Sequence, residues 1–277
     1  MRPTRFGAAV RERLLARADP VVKASYQWYF KGAVRFLGIK TPGIRKVARE
    51  VEPMLKGRPI SQLVDECFRL LRSTWAEEKH VGIALLGRNV SRLPRRFLQD
   101  FEPVFDRSVH DWGTCDHVAS RILRPLLALP TARKRVVRWR MARWPWRQRA
   151  AAVAFVNEAC HGQYNREVLT VCRVLVKNRD RFVQLGMGWV LRELFLTDRK
   201  AVLQFLEQHY PLVNREALRY AVEKMPRPLQ RRVLDAHHLA NRTRSGALAQ
   251  KPNARPEYPV GRRRCRAPEA GLEPATR

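Results

Sequence analysis

The sequence predicts an all-α protein, a right-handed α-solenoid of stacked helix pairs with a basic concave face. Three observations carry that expectation. Apolar residues recur with helical period along most of the 277-residue chain, and strand signals are almost absent. Similar segments open at Trp75, Trp112, Trp146, Phe182 and Asn214, 32 to 37 residues apart. Seven positions after each stand Gly82, Ala119, Val153, Trp189 and Ala221, most of them small. Finally, Lys and Arg number 55 against 25 Asp and Glu, a formal net charge of +30 in which arginine dominates.

The helices follow in order. "TPGIRKVAREVEPML" starts with Thr41 as an expected N-cap and Pro42 at the first helical position. "ISQLVDECFRLLRS" and "WAEEKHVGIALLGRNV" come next, each with one apolar stripe. Ser108 with Asp111 three residues later makes a capping-box-like start, so "WGTCDHVASRIL" should be helical. "WRQRAAAVAFVNEAC", "NREVLTVCRVLVKN", "DRFVQLGMGWVLRELFL", "DRKAVLQFLEQHY" and "NREALRYAVEKM" complete the series. A degenerate two-helix repeat of this length is the signature of HEAT-like or armadillo-like stacks, in which one helix of each pair lines a concave face. Residues 1–228 are therefore expected to form one HEAT-like repeat domain. From 229 to 277 the composition turns to Arg, Pro, Gly and Ser without period, and a basic, disordered tail is expected.

Composition excludes several classes. No apolar run reaches the roughly 18 residues of a membrane span, and the N-terminus has no apolar secretion segment. The five cysteines, Cys67, Cys115, Cys160, Cys172 and Cys265, are scattered without CxxC or zinc-ligand spacing. His80, His110, His117 and His161 are also too dispersed for a metal site. A reduced, cofactor-free and metal-free cytoplasmic protein is expected, a monomer associated with the nucleoid. The charge calls for a polyanionic partner, and arginine's planar fork suits phosphate. Arginines on a long concave face would cradle duplex DNA.

Trp112 and Asp116 stand one helical turn apart and share a face. Core packing with an ion pair to a nearby arginine explains the spacing. So does a site in which a carboxylate, costly beside phosphates, stabilises positive charge or activates water. Trp28, Trp75, Trp139, Trp144 and Trp146 read as packing residues.

Five stretches together resemble the AlkD-type DNA alkylation repair glycosylases, a family of HEAT-like-repeat proteins. "YFKGAVRFLGIKTPGIRKVA" resembles the family's N-terminal signature, "DWGTCD" its Trp-Asp catalytic helix and "WRQRAAAVAF" its central basic helix. "GMGWVLREL" resembles its second tryptophan helix and "NREALRYAVE" its closing repeat, so the likeness spans about residues 20 to 225. The resemblance implies Asp116 as the catalytic carboxylate and Trp112 and Trp189 as active-site tryptophans. It implies Arg149 as a backbone-holding base near the lesion and Tyr29 as an aromatic beside the cleft. Arg147 is a further expected phosphate contact, and Arg192 a phosphate or structural one. Asp111 departs from the pattern, since relatives often carry an aromatic beside this tryptophan. The implied activity is hydrolysis of the N-glycosidic bond of cationic N3- and N7-alkylated purines in duplex DNA, without base flipping. The competing class is a non-catalytic HEAT-repeat protein that binds nucleic acid or protein.

Overall fold

The computed structural model describes residues 4–32 and 34–249, and among them the regular structure is helical. Sixteen α-helices follow one another among the described residues. They are α1 (Arg5–Leu15), α2 (Pro20–Tyr29), α3 (Thr41–Val51), α4 (Ile60–Leu71), α5 (Ala76–Arg88), α6 (Phe97–Ser108), α7 (Trp112–Val118) and α8 (Arg124–Leu126). The second half holds α9 (Pro130–Arg138), α10 (Pro145–Val153), α11 (Val156–Ala159), α12 (Asn165–Leu175), α13 (Arg181–Leu194), α14 (Arg199–His209), α15 (Arg215–Val222) and α16 (Arg227–Ala249). A π-helical stretch, Ala119–Leu123, joins α7 to α8.

The expected solenoid of helical repeats is what forms. Helices α5, α7, α10, α13 and α15 pack in sequence, each against the next, as one continuous row. The five repeat-opening residues fall at the starts of these helices: Trp75 and Asn214 as N-caps, Trp112 as the first residue, Trp146 and Phe182 as the second. The other member of each pair is α4, α6, α9, α12 or α14. Side-chain pairs staple neighbouring repeats at nearly one repeat's separation in sequence. Arg135 grips Glu102 with two hydrogen bonds of 2.7 and 2.8 Å, Arg133 meets Glu167 at 3.2 Å, and Arg192 meets Glu223 at 2.8 Å. A solenoid brings residue i beside the residue one repeat on, so acid–base pairs at this spacing hold its register.

Local chemistry explains the element starts, and in two places differs from the sequence expectation. Asp111, not Ser108, caps α7, its Oδ1 accepting from the Thr114 N–H at 2.7 Å, while Ser108 ends α6. Helix α3 begins at Thr41 itself, with Lys40 as the cap residue and Pro42 in the first turn. Helices α1, α2, α6 and α9 lie where apolar period alone did not single out a helix. A further difference concerns the C-terminal boundary. Helix α16 continues through Ala249, with Val233 and His237 buried and His237 Nε2 2.8 Å from the Val213 carbonyl. Leu229, Val233 and His237 recur every four residues, which gives the helix an inward face despite its arginines. The expected boundary at 228 thus falls inside a helix, and the tail from 250 to 277 lies outside the described residues.

One buried acid sets the N-terminal approach to the tryptophan helix. Glu77, 1% exposed, accepts from the backbone N–H groups of Leu37 (2.9 Å), Gly38 (2.8 Å) and Ile39 (3.2 Å). It thereby pins "FLGI" across the start of α5, where the Ala76 N–H also bonds the Arg35 carbonyl at 2.9 Å. Gly38 has φ +101°, and a Cβ there would stand 2.3 Å from the Asp19 carbonyl oxygen, so only glycine fits. Glu77→Ala would strand three buried donors at about 1–3 kcal/mol each. A loss of at least about 3 kcal/mol is expected, roughly 10 °C in Tm, checked by thermal and urea unfolding. A loss below about 1 kcal/mol would show that the clamp contributes little.

Candidate active site

Three adjacent helices of the row, α7, α10 and α13, build the candidate site. Trp112 opens α7 and is half-buried. Phe30 lies parallel to its ring, with centroids 5.0 Å apart and planes 11° apart, and Tyr29 meets it edge-on at 5.9 Å. One indole face is therefore fixed against aromatic carbon. Such contacts add about 0.5–1.5 kcal/mol each beyond area burial and make the ring a rigid platform. Asp116 follows one turn later.

The Asp116 carboxylate is gripped by Arg149 of α10. Arg149 Nε donates to Oδ1 at 2.9 Å and Nη2 to Oδ2 at 2.8 Å, a parallel bidentate pair. Nη1 of the same guanidinium donates to the Phe182 carbonyl of α13 at 2.8 Å. The Arg149 side chain is 3% exposed and that of Asp116 16%. Arg149 thus ties α7 to α13 while the carboxylate edge still reaches the surface. Trp189, seven residues after Phe182 and so on the same helix face, is half-buried beside Tyr220 at 6.5 Å.

The three expected arginines each have partners within the protein. Arg149 is expected from the resemblance to hold DNA backbone, yet its guanidinium is buried and its fork grips Asp116. All three of these hydrogen bonds go to protein acceptors, Asp116 and the Phe182 carbonyl. Arg147 lies 2.7 Å from Asp106 and 3.5 Å from Glu102, with its guanidinium over the Trp139 ring at 5.8 Å. Those carboxylates sit on α6, so Arg147 clamps helices together. Arg192 pairs with Glu193 (3.0 Å) and Glu223 (2.8 Å) and lies over Tyr220 at 4.6 Å.

Other expectations sort cleanly. Trp75, Trp139, Trp144 and Trp146 pack against the core, but Trp28 is 81% exposed on α2, one residue before Tyr29. Asp111, where relatives often have an aromatic, is occupied in capping α7. The Cys115 thiol donates to the Trp146 carbonyl at 3.3 Å, and burial pushes its pKa far up, which makes it a structural group. Among the described residues no group of three or more His, Cys, Asp or Glu could hold a metal ion, and no helix is long and apolar enough to cross a membrane. His80 and His117, dispersed in sequence, do meet in space, with ring centroids 4.3 Å apart. The expected ion pair of Asp116 with a nearby arginine forms, but sequence reasoning missed Phe30 and that Arg149 is the partner. The latter carried a signal, since the two stand 33 residues apart, close to one repeat.

Comparison with known proteins places the chain in a family. The family profile described as DNA alkylation repair enzyme matches residues 10–225, which includes Trp112, Asp116, Arg149 and Trp189. A predicted DNA alkylation repair enzyme from Enterococcus faecalis has a similar structure, with a TM-score of 0.66 and 18% identity over 76% of this chain and 97% of that one. No curated protein matches significantly. At 18% identity the structural likeness speaks for the fold alone. The profile spans well over half of the chain, and with the fold it leads to one conclusion: the chain belongs to the DNA alkylation repair enzyme family.

Proposed function

We propose that this protein is a DNA glycosylase that hydrolyses the N-glycosidic bond of cationic N3- and N7-alkylated purines in duplex DNA, without flipping the base. The observation that carries this reading is the Asp116 carboxylate, held by the buried Arg149 fork one turn from the Phe30-backed Trp112 ring. In a protein that only bound nucleic acid the same pair would serve to tie α7 to α13, and the Asp116→Asn variant separates the two roles.

Alkylation at N3 or N7 places positive charge on the purine and weakens its bond to deoxyribose. The base then leaves neutral, taking the glycosidic electron pair and needing no proton from the enzyme. What remains is an oxocarbenium-like sugar, the electronic problem that glycosidases solve with carboxylates. Asp116 stabilises this cation and orients or deprotonates the water that adds to the sugar carbon. Because Arg149 already fixes both oxygens, the carboxylate need not reorganise as charge develops. The open faces of Trp112 and Trp189 attract the cationic nucleotide, at roughly 0.5–2 kcal/mol per contact.

Two clefts, of about 390 and 330 Å³, flank the row, and neither is lined by Trp112, Asp116 or Trp189. Catalysis on an unflipped base is what the family resemblance implies, whereas a flipping enzyme needs a fitted pocket at its reacting groups. The proposed working state is a cytoplasmic monomer on alkylated duplex DNA.

The reading predicts substrate choice. N7-alkylguanine and N3-alkyladenine should be released, and bulky alkyl groups tolerated, from duplexes carrying one defined lesion at equal enzyme excess. Uracil, hypoxanthine and ethenoadenine are neutral and should remain. Efficient release of a neutral lesion with cationic ones ignored would overturn the roles given to both tryptophans.

A further inference from the structure

Helices α3 and α5 and the π-helical stretch after α7 enclose the larger cleft, of about 390 Å³. Arg45, Arg49, Arg88, Arg121 and Arg124 line it, and among the lining residues there is no Asp or Glu. Arg88 has an ion-pair partner in Glu52 at 2.7 Å, and Arg124 a distant one in Glu158 at 3.9 Å. Among the described residues Arg45, Arg49 and Arg121 have no carboxylate within ion-pair distance. Elsewhere in the described chain carboxylates such as Glu102, Glu167 and Glu223 are drawn into pairs that staple repeats. A cleft of arginines left out of that pattern is a concentration of uncompensated charge.

The fold builds this arrangement. Pro125 lacks the N–H that would bond the Arg121 carbonyl in a regular α-helix, and its ring would crowd that carbonyl. The chain widens there to a π turn, a feature frequent at functional sites. The Arg121 carbonyl settles against Gly87, where a Cβ would stand 2.8 Å away, so α5 approaches closely and forms the cleft floor. Partial burial, then the charges of Arg45 and Arg124, lower the pKa of the Arg121 guanidinium. The His80–His117 pair lies at the same cleft, with His80 Nε2 buried and without a hydrogen-bond partner. Burial pushes His80 down to about 4 and His117 to about 3, so neither ring adds charge at neutral pH.

The cleft continues the helix that carries the candidate carboxylate. Arg121 comes five residues after Asp116, about 7 Å along the axis at 1.5 Å per residue. Successive nucleotides of one strand advance about 3.4 Å along duplex DNA. We infer that this cleft seats a backbone phosphodiester within a few nucleotides of the base processed at Asp116, held by Arg45, Arg49 and Arg121. The inference rests on the duplex-DNA reading above and supplies the phosphate contacts that Arg147, Arg149 and Arg192 do not. An open cleft of arginines suits a strand passing through it better than a small anion enclosed within it.

Two measurements test it. The first is the slope of log affinity against log salt for undamaged duplex, which becomes shallower by about 0.9 for each phosphate that the protein no longer neutralises. Arg45→Gln with Arg121→Gln should therefore make the slope shallower by about 0.9, the loss of one phosphate contact. The control pair is Arg69→Gln with Arg166→Gln, which removes equal charge from exposed positions on α4 and α12. It should change the slope far less. An unchanged slope in the first pair, or an equal change in the control, overturns the assignment. The second uses the unaltered protein and duplexes with one neutral methylphosphonate at successive positions from an N7-methylguanine. Binding should drop sharply at one position within a few nucleotides of the lesion, and a flat profile overturns the proposal. Base release enters neither readout, so failure of the glycosylase reading would be seen separately.

Discussion

Asp116→Asn is expected to lower base excision by about 10²–10³-fold, the loss of roughly 3–4 kcal/mol of charge stabilisation in the transition state. The substitution keeps size and shape but removes the negative charge that opposes the sugar cation. Arg149 would then face an amide, which offers one acceptor where two carboxylate oxygens now receive its fork. Binding to undamaged duplex should stay equal or tighten, because a charge repelling phosphate has left. Single-turnover excision and duplex affinity on the same preparation separate the two effects. Near-normal excision would remove Asp116 from the chemistry.

The second large effect concerns its partner. Arg149→Met keeps the aliphatic stem and removes the fork, leaving a partly buried carboxylate and the Phe182 carbonyl without this donor. Breaking a buried pair from one side costs about 3–5 kcal/mol, so Tm should fall by roughly 10 °C or more. Excision per folded molecule should fall by at least about tenfold, since Asp116 loses its orientation. The salt slope of duplex binding should be unchanged, which separates a positioning residue from a phosphate contact. A double-mutant cycle with Asp116→Asn should show strong coupling. A shallower slope with no coupling would return Arg149 to the DNA backbone.

The repeat register was legible in the sequence because each helix of the continuous row opens on a large or capping residue at near-constant spacing. Trp75, Trp112, Trp146, Phe182 and Asn214 mark it, and the structure places all five at helix starts. The Trp112–Asp116 face was legible for the same reason, since both lie in one short helix. What a helix meets across the stack was not. Phe30 meets Trp112 across 82 positions of sequence, and Glu77 clamps the 37–39 segment across α5 by contacts between residues 40, 39 and 38 positions apart. Arg149 reads as a surface base from composition, and only the pairing of acids and bases about one repeat apart reveals it as buried. The π turn was hidden as well, although Pro125 inside a helical pattern was its cue. Helix α16 escaped notice because arginine and glycine obscure the four-residue recurrence of Leu229, Val233 and His237.

The central claim is that this protein cuts the glycosidic bond of alkylated purines, and the direct measurement is chromatography of bases released from methylated duplex DNA. Purified protein should free 7-methylguanine and 3-methyladenine and leave abasic sites in equal number, while Asp116→Asn protein frees almost none. Methylated DNA left intact under enzyme excess, despite tight binding, would contradict the account and leave a protein that binds damage without hydrolysing it.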